Sequence, residues 1–164
     1  MSLVVEDGTG KADAESFVSL TAANTRHTAL GNTAWTGTDA VKEAALRRAT
    51  IYMEQAYRSA WKGARTTIEQ ALSWPRYGVT ADGFYLDSDA IPTDVASACA
   101  DLALRALAGD LNEDQTRAIK REKVGPLETE YSEFSPQTTR YRAVDMALAP
   151  YLKGAGAQMR LERA

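Results

Sequence analysis

Apolar positions along this chain recur mostly at helical spacing. Between Thr38 and about Ala60, Val41, Ala44, Ala45, Arg48, Ala49, Tyr52, Ala56 and Tyr57 fall at three- and four-residue intervals. Lys42, Glu43, Arg47, Glu54 and Arg58 take the other side, a pattern that predicts an amphipathic helix. Thr38 is placed to accept an early backbone N–H, and Asp39 suits the positive end of the helix dipole. A shorter helix is expected from a cap at Ser19 or Thr21 to about Leu30, ended by Gly31 in left-handed geometry. A third starts at Pro92, carries Val95, Cys99, Leu102, Ala103, Ala106 and Leu107 on its apolar stripe, and stops at Gly109. A last helix is expected from about Thr139 to Leu152, with Val144, Leu148, Tyr151 and Leu152 facing inward and Pro150 shortening it.

Two stretches break the helical pattern. In 61–91, Ala64 to Leu72 reads as one short helical turn, and Ser73-Trp74-Pro75-Arg76 reads as extended ahead of the proline. Tyr77 to Leu86 alternates loosely around Asp82-Gly83, a hairpin turn signal. Trp61, Trp74 and Pro75 are the expected structural anchors of this long loop, and loops of that length are usually functional. In 123–134, alternation through Val124, Leu127, Thr129 and Tyr131 is interrupted by Gly125-Pro126, as in an edge strand or hairpin. The expected fold is therefore mainly α: a small bundle of about four helices with a long ordered loop or β-hairpin insertion and extended termini. Its expected parts are an arm 1–18, a helical domain 19–152 carrying loop 61–91 and hairpin 123–134, and a tail 153–164. Asp7-Gly8-Thr9-Gly10 supplies turn chemistry in the arm.

Composition narrows the function classes. A chain of 164 residues suits one core, and its alanine-rich apolar share favours closely packed helices. A net charge of -3 argues against a dedicated duplex-DNA binder. Yet residues 42–76 carry Lys42, Arg47, Arg48, Arg58, Lys62, Arg65 and Arg76 against three acids, while 77–116 carry eight acids against Arg105 alone. Such a dipolar chain can attract its own copies head to tail, although both sets also read as solvated helix faces. The same basic residues interleave with Tyr52, Tyr57, Trp61 and Trp74, so a stacking groove for single-stranded nucleic acid is a competing reading. Against it, the tyrosines lie near the apolar stripe and the tryptophans read as core.

Chemistry is sparse. Cys99 stands alone on a helix and reads as a buried small hydrophobe. His27, the sole histidine, reads as a surface or partly packed residue with no nucleophile near it. Asp87-Ser88-Asp89 opens like a calcium loop but lacks the later glycine and glutamate. Gly8-x-Gly10 lies in no strand-to-helix turn, so no phosphate cradle is expected there. Glu128 and Glu130 share a strand face without a marked pocket. No enzyme activity, cofactor or metal is expected, and neither a leader peptide nor a membrane span.

Four segments carry a resemblance. They are Val5 to Gly10 followed by Ala14-Glu15-Ser16-Phe17-Val18; Gly31-Asn32-Thr33-Ala34-Trp35 leading into Lys42 to Ala49; Gln70-Ala71-Leu72-Ser73-Trp74-Pro75-Arg76; and Lys123 to Glu128. In that order the chain resembles the head–tail connector (adaptor) proteins of long-tailed phages. The resemblance implies a virion protein of the phage neck, assembled in the host cytoplasm as a ring of about twelve copies. Portal protein would lie on one side, a tail-completion or stopper protein on the other, and packaged DNA would cross the lumen without sequence-specific binding. Arg47, Arg58 or Arg65 is then expected to meet Asp101, Asp110 or Asp114 of a neighbouring copy. Leu152, Lys153, Met159, Arg160 and Leu161 are expected to contact portal or another partner, the tail ordering there. Closely similar phage proteins also carry the label DnaT-like single-stranded-DNA-binding, which implies the alternative, a replication factor.

Overall fold

A computed structural model describes residues 2–112, 121–124, 127–130 and 141–154, with 121–124 and 127–130 as backbone. Helix α1 (Leu20–Ala29) starts where Ser19 Oγ accepts from Ala22 N at 3.1 Å, and Gly31 follows its end at φ 66. Helix α2 (Asp39–Tyr57) is capped by Thr38, and α3 (Thr93–Ala108) follows Pro92, which sits at the cap instead of inside the first turn. The last helix is split: α4 (Arg142–Leu148) tightens into a 3-10 turn at Ala149–Tyr151, where Pro150 has no N–H to continue the α ladder. The expected start of that helix at Thr139 lies outside the described residues.

The mainly helical class is as expected. Helices α2 and α3 form the central pair, with α1 touching both and α4 lying on α3. The buried face of α2 differs from the alternation read in the sequence. Ala45, Leu46, Ala49, Thr50, Met53 and Tyr57 point inward, whereas Val41, Ala44, Arg48 and Ala56 are exposed. Alanines on several faces leave the rotation of such a helix undecided. Turning it to bury Leu46 and Met53 removes more apolar area from water than burying Val41 and more alanines would. Thr50 on that face is satisfied by donating to Leu46 O (3.0 Å) and by Cys99 Sγ (3.3 Å) across the α2–α3 seam.

Residues 61–91 hold two of the three two-stranded ladders described. Strand β1 (Ala64–Arg65) pairs antiparallel with β2 (Arg76–Tyr77), and β3 (Thr80–Ala81) with β4 (Phe84–Tyr85). The short helical turn expected over Ala64 to Leu72 is therefore absent. Gly63 at φ 64 packs with its missing Cβ only 2.2 Å from Tyr77 O, which opens a strand pair there. Gln70 then holds the following bends by accepting from Thr66 Oγ1 and Thr67 N and donating to Leu72 O and Pro75 O. The Asp82-Gly83 turn is present, with both residues at positive φ (51 and 85) as its hairpin type requires. Strands β5 (Arg121–Val124) and β6 (Leu127–Glu130) pair antiparallel in the expected hairpin region, and 131–134 lie outside the described residues.

Both ends of the described chain close onto this body. Ala14, Phe17 and Val18 enter the core beside α2 and α3. The turn before them wraps a buried carboxylate: Glu6 accepts from Gly8 N (2.9 Å), Gly10 N (2.9 Å) and Lys11 N (2.8 Å). At the other end Lys62 N donates to Tyr151 O (2.9 Å) and Lys153 N to Ala60 O (2.6 Å). That stitch lays Tyr151 against Trp74, and Trp74 against Trp61.

Candidate functional site

Two surfaces compete as the functional site: the basic–aromatic stretch 47–76, and the parts of the exterior that carry exposed apolar side chains. In the first, the aromatics face inward. Trp61 and Trp74 are fully buried and meet edge to face at 5.7 Å, and Tyr57, also buried, lies 5.9 Å from Trp61. Neither indole N–H has a hydrogen-bond partner among the described residues. Each ring takes on the order of 150–250 Å² out of water, worth roughly 4–6 kcal/mol gross. No base can stack on them.

Most of the basic groups of that stretch are also held by the chain itself. Arg76 is buried and donates to Lys62 O (2.7 Å), Ser73 O (3.0 Å) and Gly63 O (2.8 Å), so it locks the loop that follows the cis Trp74–Pro75 bond. Burial, with Arg65 nearby, lowers the proton affinity of its guanidinium. Lys62 Nζ donates to Pro150 O (2.7 Å) and Thr80 O (3.2 Å). Arg65 reaches Gln70 O and Ile68 O, while its Nε is buried with no hydrogen-bond partner among the described residues. Arg47 pairs with Glu15 (2.8 Å) and lies 3.8 Å from Glu43. Arg48 and Arg58 are exposed and in no ion pair among the described residues.

The acids expected to meet these arginines across a subunit boundary divide in the same way. Asp101 takes a bidentate fork from Arg26 (2.9 and 2.8 Å) within the chain. Asp110 is exposed and accepts from Asn112 N (3.1 Å). Asp114 lies outside the described residues, as do Met159, Arg160 and Leu161. Leu152 is half-buried in a bridge with Trp61, and Lys153 is exposed beside it. Of the residues named for subunit contact, Arg58 and Asp110 are thus exposed and in no ion pair among the described residues.

The chemistry-bearing residues are inward too. His27, expected at the surface or partly packed, is fully buried at 4.5 Å from Trp35, with Nε2 at 3.1 Å from Ala100 O and Nδ1 at 3.0 Å from Asn32 Nδ2. Burial lowers its pKa, chiefly by penalising the charged form. Cys99 is buried as expected, and burial pushes its thiol up. Among the described residues no group of three or more histidine, cysteine or acidic side chains could hold a metal ion, and no helix is long and apolar enough to cross a membrane.

The exterior offers features that the apolar pattern did not single out. The β3–β4 hairpin holds Phe84 and Tyr85 in solvent, 75% and 84% exposed. A groove of about 530 Å³ runs along α2, floored by Ala14, Ile51 and Leu72 and edged by Arg47, Glu54 and Arg58. Asp82-Gly83 followed directly by two aromatics was the available sign of the first. Nothing local marks the second, because three separate segments build it.

Compared with known proteins, the chain matches over residues 1–164 the model of one family, described as "Putative DnaT-like ssDNA binding protein". The chain belongs to that family. No curated protein and no solved structure matches it. In this DnaT-like member, the stretch that best fitted a stacking groove in the sequence is the one whose aromatic rings are most deeply buried.

Proposed function

We propose that this chain is a non-catalytic assembly subunit, a head–tail adaptor that sits as a ring of identical copies in the neck of a tailed phage. Portal protein would occupy one side and a tail-completion or stopper protein the other, with packaged DNA passing through without sequence readout. The observation that carries this reading is the inward commitment of the basic–aromatic stretch. Trp61, Trp74 and Tyr57 are core, and Arg47, Arg65 and Arg76 bond within the chain. What remains outside is a set of separated apolar and charged patches suited to protein neighbours. The resemblance to phage connector proteins supports the same reading.

The family match speaks for the second reading, single-stranded-DNA binding, and speaks for it better than for the adaptor. The anatomy of that function would have to lie elsewhere than the predicted groove. Exposed Tyr77, Phe84 and Tyr85 would stack bases, and exposed Arg48 and Arg58 would contact phosphates. One titration separates the two. A labelled oligothymidine is titrated with purified chain at about 50 and about 200 mM salt. The adaptor reading expects no saturable binding at the higher salt. Tight binding that weakens steeply between the two salts, and is lost in Tyr85→Ala, would replace it with the second reading. Micrographs of chain mixed with portal-bearing heads give the positive arm: added density at the portal is expected, and bare portals at saturating chain would reject the adaptor.

A further inference from the structure

The α2 groove ends close to where the described chain ends. It follows one face of α2, from Arg47 through Ile51 and Glu54 to Arg58, with Ala14 and Leu72 beside that face. Just beyond Arg58, residues 60–62 carry the stitch to 151–153. The stitch is antiparallel, with Trp61 facing Leu152, so the chain leaving Tyr151 runs back toward α2. Gly154 follows at φ 80, where glycine turns the chain at no steric cost, and a Cβ placed there would meet nothing within 4 Å. The chain therefore leaves the described residues near Arg58, at one end of the groove.

Most of the charge around the groove is satisfied within the chain. Arg47 pairs with Glu15 at 2.8 Å, and Glu54 accepts from Ser73 N (2.7 Å) and Ser73 Oγ (2.8 Å). What the groove still offers is apolar, with Ile51 54% exposed. Its occupant has to bring apolar side chains on a slender backbone. Residues 155–164 have that pattern: Ala155-Gly156-Ala157-Gln158 carries neither charge nor bulk, and Met159 and Leu161 then alternate with Arg160 and Glu162. In an extended segment the two apolar side chains share one side. Met159 lies up to about 16 Å beyond Gly154, and Ile51 about 14 Å back along α2 from Ala60, so the reach matches. A tether this short holds its end at an effective concentration of about millimolar, above that of other copies in dilute solution. A weak apolar contact is then filled from within the chain.

We propose that residues 155–164 fold back along α2 and seat Met159 or Leu161 on Ile51 and Leu72 of the same chain. The occupant of the groove is thus this chain's own tail. The contact goes beyond the adaptor reading and does not depend on it. It also makes tail and groove exclusive: a partner that draws Leu161 away uncovers Ile51.

The test places cysteines in the full chain, whose own Cys99 is buried. Ile51→Cys is combined with Met159→Cys or with Leu161→Cys, and Ala56→Cys with the same partners serves as control. Ala56 is exposed and nearer Gly154 along α2, but five positions on from Ile51 it faces away from the groove. Under mild oxidation the Ile51 pairs should form an intrachain disulfide about tenfold faster than the Ala56 pairs, at a rate independent of protein concentration. In the single variant Ile51→Cys, alkylation should be about fivefold slower than when Met159→Ser and Leu161→Ser are added. Melting curves check that each variant is folded, and if Ile51→Cys melts early, Gln55→Cys, also exposed and on the groove, takes its place. Ile51 and Ala56 pairs that close equally fast, or alkylation indifferent to the tail, would overturn the contact. Disulfides that form between chains, faster as concentration rises, would give the groove to a second copy and overturn it too. None of these results touches the adaptor reading, which the portal micrographs test separately.

Discussion

The buried Glu6 carboxylate permits a sharp test. Its Oε1 accepts from Gly8 N and Gly10 N at 2.9 Å, its Oε2 from Lys11 N at 2.8 Å, and the side chain is excluded from solvent. In Glu6→Gln, one oxygen is kept and can still accept from the two glycines. The new amide nitrogen, however, faces the Lys11 N–H as a second donor. One buried donor then goes unpaired, at about 1–3 kcal/mol, and two charge-assisted bonds become neutral ones, at about 0.5–1.5 kcal/mol each. The sum is about 2–6 kcal/mol, a large part of the stability of an ordinary domain. For a chain of this size that corresponds to a melting temperature lower by very roughly 5–20 °C. Urea unfolding of both proteins, followed by far-ultraviolet circular dichroism, measures it with the m-value as a check that the same surface unfolds. A change under about 1 kcal/mol with an unchanged m-value would refute the reasoning, since it would mean water satisfies the loop as well as the carboxylate does.

Other expectations follow from single groups. His27 is neutral in the fold, its pKa lowered from 6.5 mainly by burial, so the unfolded chain takes up the proton first. Stability is full above that value and falls as pH drops through the window below it; melting temperatures between about pH 7.5 and 5.5 should show the loss, and His27→Gln should flatten the slope. Tyr151, buried and donating to Asp94 at 2.8 Å, is held up to about 12, so the fold keeps it protonated where an unfolded tyrosine ionises near 10. Stability is therefore present below that ordinary value and lost as pH rises toward 12, and ultraviolet titration should show a late-ionising tyrosine whose signal is missing from Tyr151→Phe. Arg76→Lys should cost about 2–4 kcal/mol in urea unfolding, because an ammonium cannot span three carbonyls held by a planar fork. Oligonucleotide affinity, if any is measured, should not change at conditions where Arg76→Lys is folded.

How far the sequence went depended on how local the physics was. Ser19, Thr38 and Gly31 act through bonds to neighbours three residues away or less, and the boundaries they mark for α1 and α2 were readable. Asp82-Gly83 likewise names its own turn. The face of α2 was not readable, because it depends on where α3 places Cys99 and the alanines around it. His27 was misjudged for a similar reason: its burial comes from Trp35 and Ala100, one short and one long step away in sequence. The helical turn expected after Ala64 fails on a contact with Tyr77 that only the folded loop contains. Arg47 and Asp101 were paired with neighbouring copies on charge alone, and nearer partners in Glu15 and Arg26 were invisible without the tertiary arrangement.

The stitch between residues 60–62 and 150–153 has a consequence for how the chain is made. Lys62 Nζ and Pro150 O are separated by 88 residues, and the backbone bonds beside them span a similar distance. Contacts so remote close late, after all the residues between the two segments have left the ribosome. Until Tyr151 arrives, Trp74 has one side uncovered, so nascent chains carry a wet indole pair that invites capture by chaperones or by each other. The protein is therefore expected to acquire its native interior only once residues 150–153 have emerged, and pauses in synthesis before that point should favour clumping over folding.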